Sequence, residues 1–254
     1  MSRELRVIPV SGIAEVRAGD PLGAVIVQAL LASEEELAAG DVLVVSQKVV
    51  SKAEARTLDL ATMEPTERAR ELASRLGKDP RLVEAILRES RRIVRAERGV
   101  VIAETKGGLV CANAGIDASN IPGDDRVTLL PDEPDSSARM IREEVRAAAG
   151  VAPAIVVADS FGRPWRLGQA EVAIGCAGLV AVDDWRGRTD RVGRTLAATA
   201  VAIADEVACA ADLTRGKDEG IPAAVVRGLA GFVTAEDGPG AAALRRPEDQ
   251  DLFR

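Results

Sequence analysis

The segment Ala154–Gln169, with the sequence AIVVADSFGRPWRLGQ, constrains the fold more than any other part of the chain. Its first five residues are apolar and rich in isoleucine and valine, which is typical of a strand buried in a sheet. Asp159 and Ser160 follow directly, and a glycine and a proline then predict a turn that carries Arg163 and Arg166. We therefore expect a carboxylate and a hydroxyl at the end of a buried strand, where α/β sheets commonly bind ligands.

An alternative explanation is that Asp159 or Ser160 caps a helix that follows this strand. Capping does not account for two arginines in the next turn, because guanidinium groups bind phosphate or carboxylate in bidentate fashion. We therefore favour a site that holds a metal and a polyphosphate over a simple helix cap.

The absence of histidine narrows the chemistry that this chain can perform. Neither a Ser-His-Asp nor a Cys-His arrangement can be built, and the commonest transition-metal ligand is missing. The three cysteines are far apart and too few for a four-cysteine zinc site. The remaining donors are oxygen atoms, which favour Mg²⁺ or Mn²⁺, and such sites mostly act on phosphates.

Composition excludes several classes of binding protein. A net charge of -7 and an aromatic content of 2% argue against a protein that binds nucleic-acid backbones or stacks on bases. No apolar run approaches the length of a membrane span, and the first residues do not have the pattern of a signal peptide. We therefore expect no nucleic-acid partner, no membrane association and a cytoplasmic location.

Strands and helices are mixed along the chain without strict alternation, which predicts a mixed α/β fold. Asp41–Ser46 is a second predicted buried strand, and Val192–Leu213 is predicted to be the longest helix. Helices at Glu64–Leu76 and Pro80–Glu89 interrupt a strand-rich region and suggest a seam between two lobes. Further predicted elements are strands at Val7–Val10, Arg92–Ala96, Val100–Glu104, Leu109–Ala112, Val127–Leu130 and Ala223–Val226, and helices at Pro21–Ala32 and Asp135–Ala149.

No familiar nucleotide-binding signature is present. The pattern GxxxxGK[ST] does not occur, and the one GxGxx[GA] match is Gly238–Ala243. That match does not link a strand to a helix as the dinucleotide fingerprint requires, so we interpret it as a loop. The sequence therefore predicts neither a P-loop nor a Rossmann fold.

A polar segment, Asn113–Asn120, follows the predicted strand that ends at Ala112. Asp117 could bind a divalent cation, and Asn120 could hydrogen-bond a nucleobase, a ribose or a phosphate. An ordinary turn explains the same residue types, because Asn, Gly, Asp and Ser all favour turns for local backbone reasons.

Two further pairs of charged residues can be interpreted either as part of a functional site or as ordinary solvent-exposed side chains. Lys48 and Lys52 follow a buried strand and either face an anion or lie in solvent at the strand end. Asp205 and Glu206 interrupt an apolar helical pattern, and an exposed helix face explains them better than a site does.

Six stretches make the chain resemble the F420-0:gamma-glutamyl ligases of coenzyme F420 biosynthesis. They are Gly12–Asp20, Asp41–Arg56, Ala112–Asn120, Leu130–Arg142, Asp159–Gly178 and Thr199–Leu213. The resemblance covers essentially the whole chain. It implies a two-lobed α/β fold with mixed sheets, one catalytic unit over residues 1–254 without a fused flavin-dependent C-terminal domain, and a homodimer.

The resemblance also implies an activity. Members of this family add L-glutamate to the lactyl carboxylate of F420-0, and then to the γ-carboxylate of the first glutamate, at the expense of GTP. They use Mg²⁺ or Mn²⁺, for which we expect two ions, and K⁺ as activator. The chemistry is consistent with an acyl-phosphate intermediate, because a free carboxylate has no leaving group that an amine could displace.

Residue by residue, the resemblance makes Asp117 and Asp159 ligands of a metal and Ser160 a ligand of a second metal. Position 160 is more often threonine in the family, but serine keeps the ligating oxygen. Arg163 and Arg166 are candidates to add positive charge around the transferred phosphoryl group.

The nucleotide contacts implied by the resemblance come from three parts of the chain. Gln47 would lie beside the nucleotide, although some members carry serine at that position. Lys52 and Asn120 would contact the nucleotide, and its pocket would be lined by the backbone of Ile13, Ala14, Glu15 and Val16.

Two alternatives to this function stay open at the level of sequence. One is a metal-dependent ligase of the same fold that acts on another acyl acceptor. The other is a nucleotide-binding module without catalytic activity.

Overall fold

The computed structural model describes residues 4–119 and 125–251. The helices are α1 (Leu22–Ala32), α2 (Gln47–Ala53), α3 (Glu67–Leu76), α4 (Pro80–Glu89), α5 (Pro134–Ala149) and α6 (Ile203–Asp212). The strands are β1 (Arg6–Val10), β2 (Val42–Ser46), β3 (Thr57–Asp59), β4 (Ser90–Glu97), β5 (Val100–Thr105), β6 (Val110–Ala112), β7 (Arg126–Thr128), β8 (Ala154–Arg163), β9 (Arg166–Ala177), β10 (Asp183–Asp184), β11 (Ala200–Val201) and β12 (Ala223–Arg227). None of these helices combines the length and the apolar composition needed to span a bilayer.

The central sheet has the strand order β1-β12-β2-β8-β9. Strands β2 and β8 are parallel, and the other neighbouring pairs are antiparallel. Successive side chains of a strand point to opposite faces, so a continuous apolar run requires a cover on both sides. Helices α1 and α5 pack on one face and α6 packs on the other, which is why residues 42–45 of β2 and the first half of β8 are fully buried.

Residues 57–129 build a second hydrophobic core. Helices α3 and α4 pack there against the β4-β5-β6 sheet and the β3-β7 pair. The predicted helix Pro80–Glu89 is confirmed at both ends, and Asp79 caps it by accepting the N–H of Arg81. The mixed α/β class with mixed sheets is confirmed, whereas the division into lobes stays a prediction.

The prediction that the strand beginning at Ala154 ends at Ala158, just before Asp159, is wrong. Antiparallel pairing with β9 continues through Asp159↔Val172 and Ser160↔Glu171, so β8 extends to Arg163 as one arm of a hairpin. Only the burial ends at Ala158. Ser160 lies inside β8 and not at the start of a helix, which excludes the helix-cap explanation.

The predicted helix Val192–Leu213 is only half correct. Helix α6 begins at Ile203, because Gly193 has a positive φ of 86° and Asp190 accepts the N–H groups of Val192 and Arg194 in a turn. Residues 185–199 form a mostly exposed loop, and the short antiparallel pair β10-β11 joins its two ends.

The glycine-rich match Gly238–Ala243 is a loop only over residues 238–240, because Ala241–Leu244 form a short 3-10 helix. Its backbone N–H groups at Ala241 and Ala242 bind the carboxylate of Asp135 at 2.7 and 3.3 Å. A side chain at Gly240 would collide with that carboxylate. This segment therefore binds a carboxylate of the same chain, that of Asp135.

Candidate functional site

A cleft of about 790 Å³ opens at the carboxyl ends of the parallel strands β2 and β8. Ser46 pairs with Ala158 at the last position of their register, so Gln47 and Asp159 follow at the same edge, where β2 ends and β8 continues along β9. The cleft brings together most of the predicted site residues, namely Ile13, Ala14, Glu15, Val16, Gln47, Lys52, Asp117, Asp159 and Ser160. Asn120 lies outside the described residues.

Asp159 has a strongly perturbed carboxyl group. Burial, and then the negative charges of Glu171 and Asp117, raise its pKa to about 7. The backbone N–H of Ser160 and the charge of Lys48 oppose this shift without cancelling it. Burial and the neighbouring carboxylates thus disfavour the ionised form of Asp159, and a bound cation would favour it.

Asp117 is held by both its backbone and its carboxylate. Its N–H and C=O pair with Thr128 at 3.1 and 2.8 Å, which fixes the chain at this point. The N–H of Ser119 donates to Oδ1 at 2.7 Å, and Lys48 Nζ lies 2.9 Å from Oδ2. Burial raises the pKa of Asp117, but the bonds from Ser119 and Lys48 outweigh it and bring that pKa below its usual value.

Ser160 belongs to a network that the sequence analysis missed. Its hydroxyl donates to Glu171 at 2.6 Å and accepts from Lys217 Nζ at 2.7 Å. Glu171 also forms a buried ion pair with Arg215 at 3.2 Å. An acid inside the apolar run of β9 was the available signal, but its basic partner lies 44 residues away and no local pattern identifies it.

Helix α2 follows β2 without a break and faces the cleft with Lys48 and Lys52, which are one helical turn apart. Lys52 Nζ contacts Glu15 at 2.6 Å. Gln47 is buried, and its amide donates to Ser51 Oγ and to the carbonyl of Leu129. Both hydrogen bonds of this side-chain amide are therefore made to other residues of the protein.

Arg163 and Arg166 lie away from the cleft lining, on the exposed end of the β8–β9 hairpin. Arg163 donates weakly to the carbonyl of Leu167 at 3.4 Å. The basic residues that line the cleft are instead Lys48, Lys52, Arg215 and Lys217. The assignment of the two arginines to catalysis stays a prediction.

Three other ionisable groups, Cys111, Asp205 and Glu206, have structural explanations. Burial and the charge of Asp159 raise the pKa of the Cys111 thiol to about 12, so this thiol remains protonated and unreactive. Asp205 lies outside the cleft lining and accepts the N–H of Ala173 at 2.9 Å, where the β8–β9 register shifts. Glu206 is exposed, as the helix-face interpretation predicts.

The donors in this cleft fit a hard divalent cation with an incomplete protein shell. Asp117, Asp159 and Ser160 offer oxygen atoms, and a cation would favour the ionised form of Asp159, which burial and the nearby carboxylates disfavour. Within residues 4–119 and 125–251, no group of three or more acidic or thiol side chains is arranged to hold a metal ion by itself. A cation here would complete its shell with water or phosphate oxygens, as Mg²⁺ usually does.

Comparisons with known proteins identify the family of this chain. The family model described as F420-0:Gamma-glutamyl ligase matches residues 12–228. Relatives called coenzyme F420:L-glutamate ligase include those of Methanothermobacter thermautotrophicus, 43% identical over 98% of this chain and 99% of the relative, and of Methanopyrus kandleri, 45% identical over 98% of both. The relative from Haloarcula marismortui is 42% identical over 98% of this chain and 96% of its own length. The chain therefore belongs to the F420-0:gamma-glutamyl ligase family and is a ligase.

Proposed function

We propose that this chain catalyses the GTP-dependent addition of L-glutamate to F420-0, and then to F420-1, through an acyl phosphate. The observation that carries the proposal is the convergence of Asp117, Asp159 and Ser160 with several lysines in one cleft. Family membership and relatives that bear this ligase name over almost their full length support the choice of substrates.

The cleft has the size and the charge pattern for a nucleoside triphosphate. Its volume of about 790 Å³ lies within the usual range for small-molecule sites. Lys48, Lys52 and Lys217 place ammonium groups in the lining, where they can attract phosphate oxygens. The segment Ile13–Val16 forms part of the wall and offers backbone groups to the nucleotide.

The proposed reaction has two steps. In the first, a carboxylate oxygen of the acceptor attacks the γ-phosphorus of GTP, the bond to the β-phosphate oxygen breaks, and GDP leaves. In the second, the amine of L-glutamate attacks the acyl carbon, inorganic phosphate leaves, and the amine gives up a proton. Because the chain lacks histidine, that proton goes to a carboxylate, to phosphate or to water.

Asp117, Asp159 and Ser160 are the residues that would hold Mg²⁺ or Mn²⁺. Bound divalent cations would neutralise charge on the transferred phosphoryl group. Glu171 keeps the hydroxyl of Ser160 oriented, and Arg215 balances the charge of Glu171. We include K⁺ as an activator in the proposal on the resemblance alone.

We also propose a homodimer and a cytoplasmic location. At the end of the β8–β9 hairpin, Trp165 is 80% exposed and Leu167 is 99% exposed. Large apolar side chains placed together on a surface favour an interface with another molecule. Light scattering of the purified protein tests the homodimer, and a monomeric mass at all concentrations would contradict it.

Mass spectrometry of F420-0 incubated with GTP, Mn²⁺, L-glutamate and this protein tests the proposed function directly. We expect a product heavier by one glutamyl residue, formed with an equal amount of GDP. Binding of GTP without product or GDP release would contradict the ligase and favour a nucleotide-binding module. Product formation from another carboxylate, with none from F420-0, would contradict the assignment of F420-0 as the acceptor.

A further inference from the structure

The ammonium group of Lys48 contacts the carboxylate that the proposed function assigns to a metal. Lys48 Nζ lies 2.9 Å from Asp117 Oδ2, which also accepts the hydroxyl of Ser119 at 3.0 Å. The other oxygen, Oδ1, accepts the N–H of Ser119 at 2.7 Å. Both oxygens of Asp117 are therefore engaged by donors from two elements of the fold.

Lys48 is itself held in place by several acceptors. Its ammonium donates to the carbonyl of Ser119 at 3.0 Å and to Ser119 Oγ at 2.8 Å, in addition to Asp117. Its side chain is only 18% exposed. An ammonium with three oxygen acceptors and little exposure has a defined position and is not a freely solvated surface charge.

A divalent cation and this ammonium compete for the same carboxylate. Mg²⁺ binds carboxylate oxygens at about 2.1 Å, so an ion on Asp117 would stand within a few ångströms of Lys48 Nζ. Like charges at that separation repel strongly in a partly buried cleft. One of the two cations must move when the other is bound.

We propose that Lys48 is a positioning residue of the metal site. Its ammonium orients Asp117 and Ser119 before a divalent cation binds, and the arriving cation displaces it. This inference rests on the proposed function, because that function supplies the metal at Asp117. It predicts that Lys48 competes with the cation, whereas a purely structural lysine would either support binding or leave it unchanged.

Lys52 provides a matched control on the same helix. It lies one turn further along α2, lines the same cleft and is 14% exposed, but its ammonium contacts Glu15 at 2.6 Å and not Asp117. Replacing either lysine by methionine removes one positive charge from the cleft. A difference between Lys48→Met and Lys52→Met therefore reports direct competition rather than general electrostatics.

The first experiment is a titration of Mn²⁺, followed by electron paramagnetic resonance, without nucleotide. Asp117→Asn defines the site-specific signal. We expect Lys48→Met to bind Mn²⁺ about tenfold more tightly than the wild type, because no charge-assisted hydrogen bond has to be broken. We expect Lys52→Met to shift the affinity by less than about threefold, as for an ammonium that acts only through space.

The outcomes separate this inference from the proposed function. Equal or weaker Mn²⁺ binding by Lys48→Met, relative to Lys52→Met, would overturn the role of Lys48 and leave the metal site intact. Absence of any signal that depends on Asp117 in all the proteins would overturn the metal site itself and the inference with it.

A second measurement uses the wild-type chain and Mg²⁺. An amine-reactive reagent, with peptide mass spectrometry as the readout, measures the accessibility of each lysine. Displacement predicts that Mg²⁺ increases the labelling rate of Lys48 and leaves that of Lys52 unchanged. An unchanged rate at Lys48, at Mg²⁺ concentrations that saturate the site, would contradict displacement.

Discussion

Asp159 shares the cleft with Asp117 and Glu171, and its raised pKa is caused first by burial and then by the negative charges of these two carboxylates. The three residues come from distant parts of the chain and meet only because β8 pairs with β9 and residues 111–119 fold over the sheet edge. The sequence suggested Asp117 and Asp159 through their positions after apolar strands. Glu171 was visible as an acid inside an apolar run, but its pairing with Arg215, 44 residues away, leaves no local pattern in the sequence.

Metal affinity is expected to depend on pH near neutrality. A protonated carboxyl does not ligate a cation, so binding at Asp159 must release its proton. Since the pKa of Asp159 is raised to about 7, affinity for Mn²⁺ should fall as the pH drops below that value and level off above it. Calorimetric titrations on both sides of neutrality measure this, and a pH-independent affinity would contradict the assignment of Asp159.

Glu171→Gln provides a control for that dependence. The negative charge of Glu171 is, after burial, the next cause of the raised pKa of Asp159. Its removal should shift the pH dependence of Mn²⁺ binding to lower pH. A profile identical to that of the wild type would show that Glu171 does not influence Asp159.

Turnover is expected to require both aspartates. Asp117→Asn and Asp159→Asn should each lower the rate of F420-0 glutamylation by at least about tenfold, the low end of the cost of a disturbed metal site. Steady-state assays with saturating GTP measure the effect. Arg163→Ala is a useful comparison, because its side chain lies outside the cleft lining and a smaller loss is expected. Normal turnover of either asparagine variant would remove that residue from the site.

Elements with a strong local pattern were predicted well from the sequence. The buried strands β2 and β12 were recognised from their apolar runs, and the bounds of the helix α4, Pro80–Glu89, were predicted correctly. The extension of β8 past Asp159 was not recognised, because it depends on hydrogen bonds to β9 and not on burial. Helix α2 was taken for a strand end, although it is what turns Lys48 and Lys52 towards the cleft.

The α3–α4 pair contains a carboxylate whose contribution to stability depends on pH. The N–H and hydroxyl of Thr66, and then Arg88, lower the pKa of Glu84 from 4.5 to about 2. A depressed pKa in the folded state stabilises the fold above the unfolded value and loses that effect as the pH falls towards about 2. Glu84 should therefore stabilise the protein at pH values well above 4.5.

Glu84→Gln tests this element. We expect it to lower the free energy of unfolding near neutral pH, and we expect the difference from the wild type to shrink as the pH falls below 4.5. Urea unfolding of both proteins at several pH values measures the difference. A difference that stays constant with pH would show that the charge of Glu84 does not contribute.

At the scale of the whole molecule, Arg142 connects the segment after β12 to the central sheet. This buried guanidinium donates to the carbonyls of Pro153 and Thr234 and to the carboxylate of Asp237. The sequence predicted the helix that carries Arg142 but not its partners, since hydrogen bonds across about ninety residues leave no local pattern.

Arg142→Met should destabilise the fold by at least about 2 kcal/mol, because buried acceptors lose their donor. The cleft does not include Arg142, so the KM for GTP of the folded variant should match that of the wild type. Thermal unfolding and steady-state kinetics measure the two effects. Unchanged stability would show that the segment is held by its other contacts.

The central claim is that Asp117 and Asp159 converge with Ser160 to hold divalent cations against a nucleotide. A crystal structure of the chain grown with GDP and Mn²⁺, with manganese located by anomalous scattering, tests it most directly. We predict anomalous peaks in contact with Asp117, Asp159 and Ser160 and a diphosphate beside them. Manganese and GDP bound elsewhere, with these side chains far from both, would contradict the claim.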